Sequence, residues 1–442
     1  MSKKIKKVLI IGIVLSIINS SALPAFAVED KEKLTKVQTT LVNEKIVDIS
    51  TKTQNLQITE VRKILTLDKA IEAAISNSDK LKLKSKEIKM YQDKIDLQEK
   101  NNDYYKSIGQ KVYDFPYDKL ELQEKQTKES KEFMEDQIAN DITNKYNDMI
   151  LKEIDINKSK RYLELKKKDF DFIKGKLSLE MATPTEVKDA EIELKSLEND
   201  IKAKENLLND NKEYFKVLTD LDIKNTYKLD DSMKYEKFKI SGSMDEYIDD
   251  KIDKYLKYDT EILKLTKDYM KDLKDDGIKD IMKKDTEKLP DKALSITAKE
   301  DGTYEFDSGS YALKLIEYQQ KQMEYLAKLN AYGEYIGGDY NVSEAKVKLE
   351  ESKRNLKNGL KEGYSTLLDL ENKIDALKEQ VNSTNTKLSF GKAQVYMGLM
   401  LENDYDKQVL ESEDLDTGIR KLVYTYNNLK DSIQKPWILS NN

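Results

Sequence analysis

The stretch Glu180-Met181-Ala182-Thr183-Pro184-Thr185-Glu186-Val187 is a tight break between two long helical patterns, and a second break stands at Gly398-Leu399-Met400-Leu401-Glu402-Asn403-Asp404-Tyr405. The two are 218 residues apart, Val187 to Tyr405, and the same shift aligns more than the breaks. Tyr146 falls on Tyr364, Ile156 on Ile374, Phe172 on Phe390, Leu197 on Leu415 and Ile201 on Ile419. Conservative matches fill in between: Ile138 with Leu356, Ile142 with Leu360, Met149 with Leu367 and Ile150 with Leu368. A gapless register of this length marks an internal duplication of one helical hairpin.

The helices can be followed outward from the first break. After it, Val187, Ala190, Leu194, Leu197, Ile201, Leu208, Phe215 and Leu218 follow alternating steps of three and four, with Lys204 and Asn211 as polar members. That is a coiled-coil seam. Pro184 suits the first helical position, where no N–H is needed, and Thr183 is placed to cap it. Before the break a single helix runs from about Lys119 to Leu177, roughly 90 Å long at the usual rise. The second repeat ends in a like seam, Leu415, Ile419, Leu422, Tyr426, Leu429 and Ile433, which Pro436 stops.

The remaining segments divide as follows. Residues 1–27 read as a secretory signal: Lys3, Lys4, Lys6 and Lys7, a short apolar run from Val8 to Ile18, then Ala25-Phe26-Ala27. Residues 28–63 read as an extended lead. Residues 64–220 form the first hairpin repeat, opening at a Thr66 cap and interrupted near Asn77-Ser78. Residues 221–243 are a linker. Residues 244–433 form the second repeat, with an insert at 275–308 that reads as a small β-hairpin around Asp301-Gly302. Residues 434–442 are a tail. Short loops are expected at Ile108–Asp118 and at Gly333–Tyr340.

Composition excludes several functions. Charged residues make up 36% of the 442 and hydrophobic ones 38%, the balance of long two-faced helices with much surface. Net charge is −6 with acids and bases interleaved, so nucleic acid is not an expected partner. The chain has neither His nor Cys. It therefore lacks thiol chemistry, disulfides, the commonest general base and the commonest metal ligand. Pairs such as Asp230-Asp231 and Asp249-Asp250 are what 83 acidic residues produce by chance. No catalytic residue, metal site or cofactor is expected, and the chain does not read as an enzyme.

Three segments resemble the TolC-like outer-membrane efflux proteins: Leu65-Thr66-Leu67-Asp68-Lys69-Ala70-Ile71-Glu72-Ala73-Ala74, the first break with Ala190, and the second break. The duplication matches that family's two-repeat build. The resemblance implies a homotrimer forming a hollow α-helical barrel. It also implies that the hairpin tips meet a membrane-fusion-type adaptor of an export pump. The sequence departs from the family at the far end: the loops there are too short for pairs of membrane-crossing strands, each of which needs about 9–11 residues. It also carries Glu180 where the first tip usually has Gly, a residue retained at Gly398.

The expected fold is all-α, two repeats of a long antiparallel helical hairpin with a small β-hairpin insert in the second. The candidate partner-binding tips are Met181, Ala182, Thr183, Pro184, Thr185 and Val187, with Gly398, Leu399, Met400, Asn403, Asp404 and Tyr405. Capping alone explains Thr183 and Asn403; it does not explain apolar Met181, Leu399 and Met400 at a tip. At the far end Tyr113, Phe115, Tyr117, Tyr332 and Tyr335 either face an envelope surface or pack on each other to close the helix ends. The expected function is an exported conduit or docking component of an efflux or secretion assembly in the envelope of a single-membrane bacterium. The alternative is a cell-surface coiled-coil scaffold, structural or adhesive, without transport.

Overall fold

The computed structural model describes residues 62–440 apart from Gln110 and Asp301. The signal segment and almost all of the extended lead lie outside the described residues. Strand β1 (Lys63–Leu65) leads into α1 (Leu67–Asn77) and α2 (Asp79–Ser107). The long α3 (Phe115–Ser178) and α4 (Pro184–Thr219) make the first hairpin. Strand β2 (Tyr227–Leu229) interrupts the linker, and α5 (Met244–Tyr255) and α6 (Lys257–Asp275) open the second repeat. The insert carries a 3-10 turn at Ile278–Lys283, another at Lys292–Ser295, and strands β3 (Ile296–Ala298) and β4 (Tyr304–Phe306). Helices α7 (Ser308–Tyr396) and α8 (Glu402–Gln434) make the second hairpin, and a 3-10 turn at Pro436–Ser440 follows.

The helix ends sit where side chains can satisfy the free N–H groups. Thr66 accepts from Lys69 N–H, Ser78 from Leu81 N–H and Ser243 from Glu246 N–H. Ser78 also ends α1, so the interruption near Asn77-Ser78 is a single residue serving two helices. The β-hairpin forms as the pattern predicts, with Ile296 opposite Phe306 and Ala298 opposite Tyr304.

The second expected loop is absent. Gly333–Tyr340 is no loop: α7 runs unbroken for 89 residues, about 130 Å. Each helical Gly costs only about 1 kcal/mol. Packing offsets that cost, because Tyr335 and the neighbouring Tyr332 join Phe115, Tyr269, Met270 and Leu273 in one apolar cluster. The sequence also does not reveal the parallel pair β1–β2, in which Ile64 is level with Lys228. Three-residue strands carry too little pattern to be read.

The helices lie side by side with α3 in the middle. Towards the far end the order is α2, α3, α6, α7; towards the tips it is α4, α3, α8, α7. Each repeat has its own core at mid-height, and the 218-residue shift maps one onto the other. Ile142 and Leu360, Met149 and Leu367, Ile156 and Ile374, Ile201 and Ile419, Leu208 and Tyr426, and Phe215 and Ile433 are all buried. Nearer the tips the two hairpins meet through charge: Lys158 with Asp414, Arg161 with Glu413, and Lys168 with Asp406.

Two buried tyrosines hold the chain crossing between repeats. The Tyr146 hydroxyl donates to the Leu65 carbonyl (2.6 Å) and accepts from Asp230 N–H (2.7 Å), gripping the ends of both short strands. In the second repeat that task falls to Tyr426, on the opposite helix of its hairpin. Its hydroxyl donates to Glu371 (2.6 Å) and accepts from Phe238 N–H (2.6 Å). Arg420 and Asn427 bind the Asp231 and Lys234 carbonyls, completing a strap along α8. Burial pushes the Tyr146 hydroxyl up to about 12, so it stays a donor at any ordinary pH.

The segment after Pro436 is docked. Trp437 is buried, stacks on Phe133 at 4.2 Å, and donates its indole N–H to Asp136 at 2.8 Å. It joins the end of α8 to α3 and α5. Replacing Tyr146 by Phe keeps the ring and removes the hydroxyl. Stability should fall by about 1–3 kcal/mol, the cost of buried polar groups losing a partner. The readout is the urea midpoint followed by circular dichroism; an unchanged midpoint would refute the clamp.

Candidate functional site: the hairpin tips

The first tip turns at Glu180, whose φ of 58° lies in the left-handed region. Its equivalent in the second repeat, Gly398, has φ 72°. The two turns share one backbone device, with N–H groups returning to the end of the preceding helix: Met181 N–H to Lys176 O, and Leu399 N–H to Gln394 O. Glycine adopts that conformation freely, whereas a residue with a Cβ pays roughly 1–2 kcal/mol.

Helix α4 then starts with a full capping box. Glu186 N–H donates to Thr183 Oγ1 (3.2 Å), and Thr183 N–H donates to Glu186 Oε2 (2.6 Å). Pro184 occupies the first turn, as its missing N–H allows. The Thr183 backbone N–H, then its hydroxyl, hold the Glu186 carboxyl below the usual carboxylate range. A depressed pKa contributes stability above the unfolded value and loses it as pH falls through the folded one. The box is therefore complete at neutral pH and opens in acid.

The second tip is built differently. Leu401 occupies the cap position without a side-chain bond. Asn403 is not a cap: its amide donates to Asp169 Oδ1 at 2.6 Å, reaching across to α3. Lys407 joins the same carboxylate at 2.9 Å. One acid on the first hairpin thus ties down the start of α8. Tyr405 is half-buried because its ring lies over Gly391, where a Cβ would come within 3.2 Å of the ring. Larger residues at 391 would push the ring away.

The tips expose apolar side chains. Met181 is 70% and Leu399 74% exposed, and Met400 is half-buried. Leu179 on the first tip, and Tyr396, Met397 and Leu401 on the second, are exposed too. These four escaped the sequence reading. Their signal was there: apolar residues within a few positions of a break, off the seam of either flanking helix.

The far-end aromatics close the helix ends on each other. Phe115 stacks on Tyr269 at 4.1 Å, Tyr113 meets the same ring edge-on at 5.4 Å, and Tyr332 stacks on Tyr335 at 6.2 Å. Tyr113 also donates to Asp276, whose carboxyl Lys111 and Tyr113 hold below its usual range. Burial, then Glu334, raises Tyr269 to about 12. Tyr117 is half-buried and lies outside the cluster to which its repeat equivalent Tyr335 belongs.

Among the described residues no group of three acids could hold a metal ion, and no helix is long and apolar enough to cross a membrane. Strands β3 and β4 have three residues each, against the roughly 9–11 of a transmembrane strand.

The fold is similar to that of solved structures. The structure of CusC, described for its conformational changes accompanying folding and transmembrane channel formation, superposes with a TM-score of 0.50 at 10% identity, covering 84% of this chain and 91% of that one. A membrane protein from Pseudomonas aeruginosa (TM-score 0.48, 12% identity, 83% and 89% covered) and the Campylobacter jejuni CmeC outer membrane channel (0.48, 13%, 85% and 86%) align more loosely. The chain has the TolC-like fold, two repeats of a long helical hairpin. No family model matches it, and no curated protein does.

The tip geometry predicts opposite effects at neighbouring positions. Glu180→Gly relieves the left-handed turn and should stabilise the first tip by about 1 kcal/mol. Thr183→Ala removes the cap and should weaken it by a similar amount, about 1 kcal/mol. Amide hydrogen exchange of residues 176–190 reads both. Equal protection in the two variants would contradict this account.

Proposed function

We propose that the chain is a non-enzymatic exported component of an efflux or secretion assembly. In this reading identical copies close into a ring, a homotrimer as the resemblance implies, and the tips dock a membrane-fusion-type adaptor. The observation that carries the reading is the pair of open edges on one layer of helices.

Helix α2 forms one edge in the far half, where it exposes Leu83, Met90, Leu97 and Tyr104 at strict seven-residue spacing. A shallow groove runs there, lined by Lys86, Lys89, Met90, Asp93, Lys94 and Leu97. Helix α4 continues this edge towards the tips with exposed Leu207, Tyr214 and Val217. Helix α7 forms the opposite edge and exposes Gly333, Ile336, Gly337, Tyr340 and Val347. A seven-residue repeat of apolar side chains is the pattern of a helix that meets another helix. Edges that differ from each other pair head to tail, and such contacts close rings when the rotation allows. The exposed Met181, Leu399, Tyr396 and Leu401 support a docking role for the tips, because a partner helix would remove them from water.

A scaffold without transport is the second reading, and the three-residue strands favour it, since they cannot line a pore through a bilayer.

Two experiments test the proposal. Bonds set the relative heights on the two edges: Gln92 to Glu124, Gln126 to Asp259, and Asp253 to Lys353 place Leu97 level with Tyr340. The chain has no native Cys, so a double variant Leu97→Cys, Tyr340→Cys should form disulfides only between copies. Oxidation should give covalent oligomers ending at a closed trimer, with either single variant remaining monomeric. A monomeric double variant would remove the ring. Deletion of the gene should lower export of dyes or peptides, and a copy carrying Met181→Lys with Leu399→Lys should fail to restore it. Unchanged export after deletion would favour the scaffold.

A further inference from the structure

The first 23 residues of α7 extend past the rest of the helical layer. Helix α2 ends at Ser107, α3 begins at Phe115 and α6 ends at Asp275, all near the level of Tyr335. Residues 308–330 continue beyond them by about 35 Å. The insert runs along one side of this stalk. Lys321 pairs with Glu287 (3.0 Å), Gln322 donates to the Glu287 carbonyl (3.0 Å), and Lys314 donates to Ser295 Oγ (3.2 Å).

The other side of the stalk is exposed and carries no charge, in a chain of which 36% is charged. Ala312, Ile316, Gln319, Met323, Leu326 and Asn330 follow unbroken four-three steps, and every one is exposed. The same stepping continues through Gly333, Gly337 and Tyr340, which belong to the α7 edge described above. Glu317, the exposed acid nearest the stripe, is paired with Lys321 on the insert side.

We infer that the stalks of neighbouring copies pack in parallel along Ala312–Asn330 and close the end distal to the tips with a short helical bundle. This deepens the proposed ring and rests on it. Three observations name a second copy as the occupant. The spacing is that of a coiled-coil seam, which another helix fills. The seam includes Gln319 and Asn330, polar residues that helix bundles use to set register and that hydrocarbon rejects. It also runs without a break into the edge that would face the next copy. The first-repeat edge offers no partner at this height, because α2 ends at Ser107. An end closed by a bundle stands where a TolC-like channel would continue into a membrane barrel.

The test is a single Cys at the exposed seam position, Met323→Cys, in the mature full-length chain. Mild oxidation should give covalent dimers in most of the protein. Lys321→Cys, two residues away and turned towards the insert, should give none. Dimers from both variants at equal rates would mean random collision and overturn the bundle. Monomers from Met323→Cys would overturn it too. In that case the Leu97→Cys, Tyr340→Cys ladder tells whether the ring itself has failed or only the bundle. Flotation with vesicles of phosphatidylglycerol and phosphatidylethanolamine covers the lipid occupant. Binding that Met323→Asp abolishes, without Cys cross-linking, would assign the stalk to a membrane surface and refute the bundle. No flotation with strong cross-linking supports it.

Discussion

A helix with a seam only two residues wide per seven cannot shield itself from water, and the architecture follows from that constraint. Helix α3 spans 64 residues and meets α2, α4, α6 and α8 along its length. Among the described residues it is the longest helix with neighbours on both sides. Helix α7, longer still, has neighbours on one side and leaves a seam on the other. A layer built this way has a saturated middle and two unsaturated edges. The edges are a consequence of the same narrow seams that make the hairpins.

The duplication is conserved in packing more than in chemistry. Six core positions correspond across the shift and are buried in both repeats. The polar work inside them is redistributed. Tyr146 grips the chain crossing from α3, whereas Tyr426 does so from α8, at the position equivalent to Leu208. Glu180 accepts a left-handed backbone that Gly398 adopts without strain. The first tip carries a complete capping box, and the second the Asn403–Asp169–Lys407 tie. Both tips keep the same backbone turn and differ in how the helix that follows it is anchored.

The far-end ring cluster and the tips use apolar side chains in opposite ways. At the far end the aromatics turn inward, and Phe115, Tyr269 and Tyr335 replace water with each other. At the tips Met181, Leu399 and Tyr396 remain in water, at positions where turn formation asks for no apolar residue. Large exposed side chains are ordinary singly and informative when grouped at one end of a molecule.

Helix periodicity, the 218-residue repeat, the caps at Thr66 and Thr183 and the insert hairpin were legible in the sequence, because each is a local rule acting over a few turns. The tip residues stand out as breaks in that periodicity, whereas the α2 stripe went unread although its residues recur by sevens. Other features came only with the tertiary structure. Gly333, Gly337 and Gly338 looked like a loop, and packing of Tyr335 against the α6 cluster made them helix. The β1–β2 pair joins residues more than 160 positions apart through three-residue strands, too short for any pattern. Asn403 looked like a cap until its partner proved to be Asp169 on another hairpin. Trp437 looked like part of a tail until it was found stacked on Phe133. In every such case the deciding partner lies far away in the chain, where local propensity carries no information.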